Sequence, residues 1–175
     1  LTGVSLFDMS MVTKTQGMFY NCSMLSSVPL FNTSGVTNMR NMFNTCTRLT
    51  TVPLLNTSNV TSMDNTFREC QALSSLPPFN TSKVINMGSA FRGCQMLSSV
   101  PLFNTSSVTN MNDTFFWCAR VTALPLFETS NVTSMNGTFR DCHAITSIPQ
   151  FNTSKVTGMA SAFVDCTRVQ SGALA

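Results

Sequence analysis

The chain has 175 residues, of which 43% are hydrophobic and only 10% are charged, and its formal net charge is +3. The apolar content suffices for a continuous core, and the small, dispersed charge argues against a nucleic-acid-binding protein. No apolar run approaches the roughly 20 residues that a membrane-spanning helix requires, so no span is predicted in this segment.

Every conspicuous residue recurs with a period of 24 positions, without an insertion or deletion. A fixed period in this range is typical of solenoids, in which similar units stack and each unit contacts only its neighbours. The cysteine column is Cys22, Cys46, Cys70, Cys94, Cys118, Cys142 and Cys166. We predict one solenoid domain over residues 1–175, with seven units, uncapped ends and a place in a longer array or assembly.

Within one unit the elements follow in a fixed order. Residues 25–28 have the pattern of a short strand, which ends at Pro29 because proline cannot donate to a sheet ladder. Residues 32–34 supply turn chemistry. Apolar residues between Val36 and Phe43 then lie at the spacing of a short helical or 3₁₀ turn. The predicted fold is a leucine-rich-repeat-like right-handed coil with parallel strands on one side and helical turns on the other.

Two further columns are assigned structural roles. A phenylalanine column is expected to stack through the centre of the core, and its members include Phe43, Phe67 and Phe91. An asparagine column is expected to cap the turn through side-chain hydrogen bonds. Its members include Asn32, Asn56, Asn80 and Asn104, with Asp8 and Glu128 in equivalent positions.

These motifs resemble a known family. The string Phe-Asn-Thr-Ser-x-Val-Thr-x-Met runs from Phe31 to Met39 and again from Phe103 to Met111, with Phe-x-x-Cys following. It closely resembles the signature of BspA-type leucine-rich repeats, and most of all the branch found in surface lipoproteins of wall-less bacteria and in bacterial, protist and phage surface proteins. The resemblance covers the whole chain. It implies a surface-exposed scaffold for adhesion or recognition, without enzymatic activity.

The cysteines admit two interpretations. Stacked neighbours come within the range that a disulfide accepts. However, the number of cysteines is odd and none stands in a Cys-x-x-Cys pair, so a zinc site is disfavoured. Free cysteine behaves as a small buried hydrophobe. We therefore expect a buried thiol ladder, with disulfides between neighbouring units as the alternative, and no metal.

Ten Asn-x-Ser/Thr sequons would mean dense glycosylation in a secreted eukaryotic protein. Turn capping explains half of them without any modification, because they fall in the asparagine column. The threonine column that begins at Thr33 invites comparison with ice-binding solenoids. Those threonines fall in a turn, however, whereas flat ice-binding faces present Thr-x-Thr along a strand.

No catalytic constellation is visible in the sequence. His143 is the only histidine, the acidic residues form no pair at a fixed spacing, and no phosphate-binding loop is present. We predict a non-enzymatic protein with no cofactor.

The candidate binding residues lie in the columns that vary. The two positions after each core phenylalanine change from unit to unit, and the pair Phe116–Trp117 contains the only tryptophan. Exposed aromatic and arginine side chains are enriched at binding hot spots. The candidate contact residues are Tyr20, Arg68, Arg92, Phe116, Trp117 and Arg140. The alternative is that Trp117 covers a packing defect on its own coil.

Two functions stay open at this stage. The first is an extracellular binding module on a cell or virion surface, whose partner is a protein or a glycan. The second is a structural rod that associates with itself end to end through uncapped repeats, because such a heterologous contact produces a filament.

Overall fold

The computed structural model describes residues 2–170, and within them the chain is wound into a solenoid. Isolated parallel β-bridges join equivalent residues of successive coils, from Lys14–Asn38 at one end to Ser134–Gly158 at the other. Bridged parallel segments lie about 4.8 Å apart. The bridged residues are 24 positions apart, so one sequence unit makes one turn of the coil. Residues 2–170 contain neither a helix nor a strand longer than a single bridge residue.

The side of the coil that carries the bridges is a run of β-turns between residues 39 and 46. Alternate amides in this run donate to the next coil; of the others, the amide of Arg40 donates to the side chain of Asn38 and the rest donate three residues back. The amide of Asn41 donates to the carbonyl oxygen of Asp64 (3.0 Å), whereas the amide of Asn44 donates to that of Asn41 (3.2 Å). Asn41 and Thr45 have φ of 57° and 65°. Positive φ at the third position is the mark of a type II turn.

The predicted elements within the unit were therefore wrong. Residues 36–43 do not form a helical turn, because a left-handed residue at position 41 redirects the amides toward the next coil. Residues 25–28 do not form a strand either. Within this segment only one backbone hydrogen bond joins neighbouring coils; the amide of Thr50, for example, donates to the carbonyl oxygen of Ser26 (3.1 Å). The proline column follows directly. The parallel bridges lie instead in the column of Asn38. The right-handed sense of the coil stays a prediction.

Two columns hold the left-handed residues, and most of their members are glycine, asparagine or aspartate, which tolerate this conformation best. The first column is Gly17, Asn41, Asn65, Ser89, Asp113, Gly137 and Ser161. The second is Asn21, Thr45, Glu69, Gly93, Trp117, Asp141 and Asp165. This enrichment was visible in the sequence and is the signal that the helical interpretation overlooked.

The centre of the core is a stack of aromatic rings. Phe43 and Phe67 lie 5.3 Å apart between ring centroids, with 7° between their planes. A second phenylalanine column packs against the first, since Phe67 and Phe79 lie 5.8 Å apart. Fully buried aliphatic residues line the stack: Leu25, Leu49, Leu73, Leu97, Val121 and Ile145.

Side-chain donors add hydrogen bonds between coils: the threonine hydroxyls reach carbonyl groups that the backbone leaves free, and the thiols reach carbonyl groups that already accept one amide. The buried hydroxyl of Thr81 donates to the carbonyl oxygen of Asn104 in the next coil (2.8 Å). The thiol of Cys94 donates to the carbonyl oxygen of Phe67 (3.3 Å). The same thiol contact is made by Cys46, Cys70, Cys118, Cys142 and Cys166. A buried carbonyl without a partner is costly, so these columns hold the coils together.

All seven cysteines are free thiols in the structure. Desolvation on burial raises the pKa of Cys46 and Cys142 to about 12. Burial raises the pKa of Cys70, Cys94 and Cys118 well above the ordinary value for the same reason. A thiol that stays protonated is a poor nucleophile and a poor metal ligand. The ladder is therefore structural.

The asparagine column caps its turn. In the unit that begins at Asn56, the side-chain oxygen accepts from both the amide (3.1 Å) and the hydroxyl (2.7 Å) of Ser58. Glu128 and Asp8 take the same role with the amides of Ser130 and Ser10 (2.9 and 2.8 Å). These hydrogen bonds favour the charged form and lower the pKa of both carboxyl groups.

Candidate recognition surface

The ring of Phe116 lies between two arginines of the neighbouring coils. The guanidinium carbon of Arg92 is 4.2 Å from the ring centroid, and that of Arg140 is 5.4 Å from it. Both distances fall within the range of a cation–π contact. The solenoid creates this arrangement, because residues 24 apart are stacked one coil apart. Phe116 is half-buried and Arg140 is exposed, so one arginine faces the solvent.

Arg92 is fixed from two sides. Its Nη1 lies 3.3 Å from Oδ2 of Asp113, while the plane of its guanidinium contacts Phe116. Its Nε is buried and has no hydrogen-bond partner within residues 2–170. Such an unsatisfied donor is costly. The ion pair and the aromatic contact offset that cost and hold the side chain in one orientation.

Trp117 has the most unusual backbone of the surface. Its φ is 60°, although a bulky side chain disfavours the left-handed conformation, and 40% of its surface is exposed. Backbone strain of this kind costs about 1–3 kcal/mol and is concentrated at functional sites. Asn21 and Gly93 occupy the same column and adopt this conformation at much smaller cost.

The column around Trp117 places charged groups on the neighbouring coils. Gly93, on the preceding coil, has φ of 74°, and an added Cβ there would lie 2.6 Å from Oε2 of Glu69. The glycine therefore permits both the backbone conformation and the close approach of the Glu69 carboxylate. On the following coil, Nε of Arg140 lies 3.7 Å from Oδ2 of Asp141. An aromatic surface is thus bordered by groups of both charges.

The six residues predicted to contact a partner do not form one cluster. Arg92, Phe116 and Arg140 are brought together, and Trp117 follows directly in the chain. Arg68 lies two coils before Phe116, a distance of about 10 Å, and Tyr20 lies four coils before it, about 19 Å away. Tyr20 is exposed and Arg68 is half-buried.

An open groove lies in a second varying column of the sequence, outside the contact residues named above. It is lined by Ser98, Ala119, Arg120, His143, Ala144 and Arg168. Nδ1 of His143 lies 2.9 Å from the carbonyl oxygen of Asp165. Because a carbonyl only accepts, Nδ1 carries the proton and Nε2 remains available.

A stripe of exposed leucines runs along another side and was also missed. Leu30, Leu54, Leu102 and Leu126 expose 56–69% of their surface. Each follows a proline, and in three of the units the next amide donates back to the proline carbonyl, so Leu54, Leu102 and Leu126 sit at the apex of a γ-turn. The signal in the sequence was the Pro-Leu pair that recurs at residues 29–30, 53–54, 101–102 and 125–126.

The described part of the chain contains no cluster of three His, Cys, Asp or Glu residues placed to bind a metal ion. No helix between residues 2 and 170 has the length and apolar character needed to cross a membrane. Within residues 2–170 the surface offers aromatic, cationic and hydroxyl groups for contact.

Comparison with protein families decides where the chain belongs. The family described as "Mycoplasma protein of unknown function, DUF285" matches residues 2–99 and 73–173. The chain belongs to this family. No curated protein matches the DUF285 chain.

Solved structures with the same fold are leucine-rich repeat proteins of bacteria. The DUF285 chain is similar to the leucine-rich repeat protein TpLRR of T. pallidum, with 22% identity, a TM-score of 0.68, and coverage of 91% of this chain and 72% of that one. It is similar to a leucine-rich repeat protein of Eubacterium ventriosum, with 20% identity, a TM-score of 0.55, and coverage of 85% and 42%. A leucine rich cell surface protein of Faecalibacterium prausnitzii matches with 18% identity, a TM-score of 0.54, and coverage of 96% and 57%.

These similarities confirm the predicted repeat solenoid of the leucine-rich-repeat type. The chain spans about half the length of the second and third of these structures. None of the matched proteins is described as an enzyme.

Proposed function

We propose that this chain is a non-enzymatic scaffold, displayed on a cell or virion surface, that recognises a protein or glycan partner. The main support is Trp117, whose indole is exposed and whose backbone has a φ of 60°. The other residues of its column are smaller or more flexible. A position that only needed to turn the chain would be served by glycine or asparagine. The strain is explained if the indole contacts a partner.

The neighbouring groups suit such a contact. Phe116 and Arg92 are locked by packing and an ion pair, which lowers the entropy lost when a partner binds. Arg140 is exposed beside the ring, where a ligand can reach its guanidinium group. Trp, Tyr and Arg are the residue types most enriched at binding hot spots.

Surface display is supported by two similarities. One fold relative is described as a leucine rich cell surface protein, and the repeat signature resembles that of BspA-type surface proteins. Localisation outside the cell would place the Phe116–Trp117 surface where a partner can reach it.

The single tryptophan makes the proposal directly testable. Candidate glycans from an array and candidate matrix proteins lacking tryptophan fluorescence are titrated into the chain while emission is recorded. A partner that covers Trp117 shifts the emission to shorter wavelength, because the indole leaves water. A partner that binds without altering the emission would show that the contact lies elsewhere.

The rod alternative has its own measurement. Light scattering and electron microscopy of the purified chain give its mass and shape. Fibres whose axial repeat matches the length of one chain would favour end-to-end assembly. Single rods that bind a partner through Trp117 would favour the recognition scaffold.

A further inference from the structure

The groove over Ala144 differs in charge from the equivalent position on the other coils. Its column reads Met24, Arg48, Ala72, Met96, Arg120, Ala144 and Arg168. Ala72 is flanked by one arginine and one methionine. Ala144 is flanked by two arginines, because Arg168 stands where the three-coil pattern would place methionine.

The two arginines of the groove are exposed and are not engaged with acidic groups. Among residues 2–170, the ion pairs involve Arg40, Arg92 and Arg140, and neither Arg120 nor Arg168 has a carboxylate partner. The groove is lined by no acidic side chain. The backbones of Arg120 and Arg168 are two coils apart, a distance of about 10 Å. Both side chains can therefore reach an anion above Ala144.

The remaining lining groups suit a sugar. The methyl groups of Ala119 and Ala144 form a small apolar floor, against which the face of one ring fits. Ser98 contributes a hydroxyl group, and Nε2 of His143 is available for a hydrogen bond because Nδ1 is engaged with the carbonyl oxygen of Asp165. Arginine recognises carboxylate and sulfate oxygens through paired hydrogen bonds.

We propose that the groove over Ala144 binds an acidic saccharide, whose carboxylate or sulfate group is held between the guanidinium groups of Arg120 and Arg168. The inference rests on the proposed role as a binding scaffold and adds a ligand class to it. A saccharide is favoured over an acidic peptide for two reasons. The groove has no deep apolar pocket for an anchoring side chain, and residues 2–170 offer no extended strand edge for a peptide to join.

The test is a calorimetric titration with three probes. They are a heparin tetrasaccharide, which carries sulfate and carboxylate, a hyaluronan tetrasaccharide, which carries carboxylate alone, and a hexaglutamate peptide. The expected result is binding of at least one tetrasaccharide and much weaker binding of the peptide. Stronger binding of heparin identifies sulfate as the preferred group, and equal binding identifies carboxylate. Failure of both tetrasaccharides to bind, or binding of hexaglutamate with equal affinity, would overturn the proposal.

The chain provides its own matched controls. Arg168→Met leaves Ala144 with one arginine and one methionine beside it in this column, as Ala72 has, and we expect the affinity for the saccharide to fall at least tenfold. Arg48→Met removes one positive charge from the same column, away from the groove, and the affinity is expected to change less than twofold. Equal loss in both variants would show general electrostatic attraction instead of a site. Met24 and Met96 show that methionine fits this column, so an unchanged unfolding temperature is expected for both variants.

A variant designed to gain a second binding site provides an independent test. Met96→Arg places two arginines around Ala72, and the stoichiometry is expected to rise from one saccharide to two. A stoichiometry that stays at one would contradict the arginine pair as the deciding feature.

Trp117→Asn is titrated in parallel. Retained saccharide binding in that variant separates this groove from the Phe116–Trp117 surface, so either proposal can fail without the other.

Discussion

The guanidinium carbon of Arg92 lies 4.2 Å from the ring centroid of Phe116, one coil further along the solenoid. Neither residue belongs to the repeat signature, and the contact exists only because the coils stack in register. A double-mutant cycle with Arg92→Met and Phe116→Leu should give a coupling energy of about 0.5–2 kcal/mol, measured by urea unfolding. The same cycle with Arg68→Met should give a coupling near zero, because Arg68 lies two coils from Phe116. A coupling of equal size for both arginines would contradict the contact.

A second prediction concerns the hydroxyl ladder. Thr81→Val keeps the shape of the side chain but removes the donor to the carbonyl oxygen of Asn104, so the free energy of unfolding should fall by about 1–3 kcal/mol. Thr81→Ser retains the donor and should cost less. Thr109→Ile is the comparison variant and should cost less, since the hydroxyl of Thr109 makes only a longer, exposed hydrogen bond to the carbonyl oxygen of Ile85 (3.4 Å) and Ile85 already stands in the same column. A Thr81→Val variant as stable as wild type would show that this hydrogen bond does not hold the coils together.

A third prediction concerns pH. The folded-state pKa of the buried thiols lies above that of a free thiol, 9.0, so the unfolded chain loses protons first as the pH rises. The stabilities at pH 7 and 8 should therefore be similar. Above pH 9 the free energy of unfolding should fall by about 1.4 kcal/mol per pH unit for each fully buried thiol. Unfolding curves between pH 7 and 10.5 measure this. Removing two thiols, in Cys94→Ala with Cys118→Ala, should reduce the slope, and an unchanged slope would assign the effect to other groups.

The leucine stripe yields a fourth prediction. Leu102→Gln should change the free energy of unfolding by no more than about 0.5 kcal/mol, because the side chain is exposed and Gln150 occupies the same column. Leu97→Ala, five residues earlier, should cost about 2–5 kcal/mol, because that side chain is fully buried. Thermal or urea unfolding separates the two. Comparable costs would mean that the stripe is covered within the folded chain.

Part of this structure was predictable from the sequence, and the reason is the period. The recurrence of Cys22, Phe43 and their equivalents required a stack of similar units, and strict spacing put equivalent side chains in ladders. The path within one unit was harder to predict. Between Val36 and Phe43 the apolar spacing matches a helical turn, yet a left-handed residue at Asn41 turns the chain toward its neighbour. The spacing of apolar side chains does not reveal where the backbone adopts a positive φ.

The candidate surface was predictable only as a set of varying positions. The sequence placed Arg92 and Arg140 one unit on either side of Phe116, and the structure brings those side chains to the ring. It did not reveal the positive φ of Trp117, which depends on the turn. The column of Ala144 was visible as a varying set of residues, but the groove itself appears only when the coils stack and the small residue lies between two large ones.

The most direct test of the recognition scaffold is a comparison of the wild-type chain with Trp117→Asn. The variant takes the residue that Asn21 provides at the equivalent position of the first unit. Both proteins are assayed for unfolding temperature and, after fluorescent labelling, for binding to a glycan array and to immobilised matrix proteins. We predict an unfolding temperature that is equal or higher, because backbone strain is relieved, together with loss of the signals that wild type gives, apart from those of acidic saccharides, which are assigned to the Ala144 groove. A lower unfolding temperature with unchanged binding would show that Trp117 covers its own coil and contacts no partner.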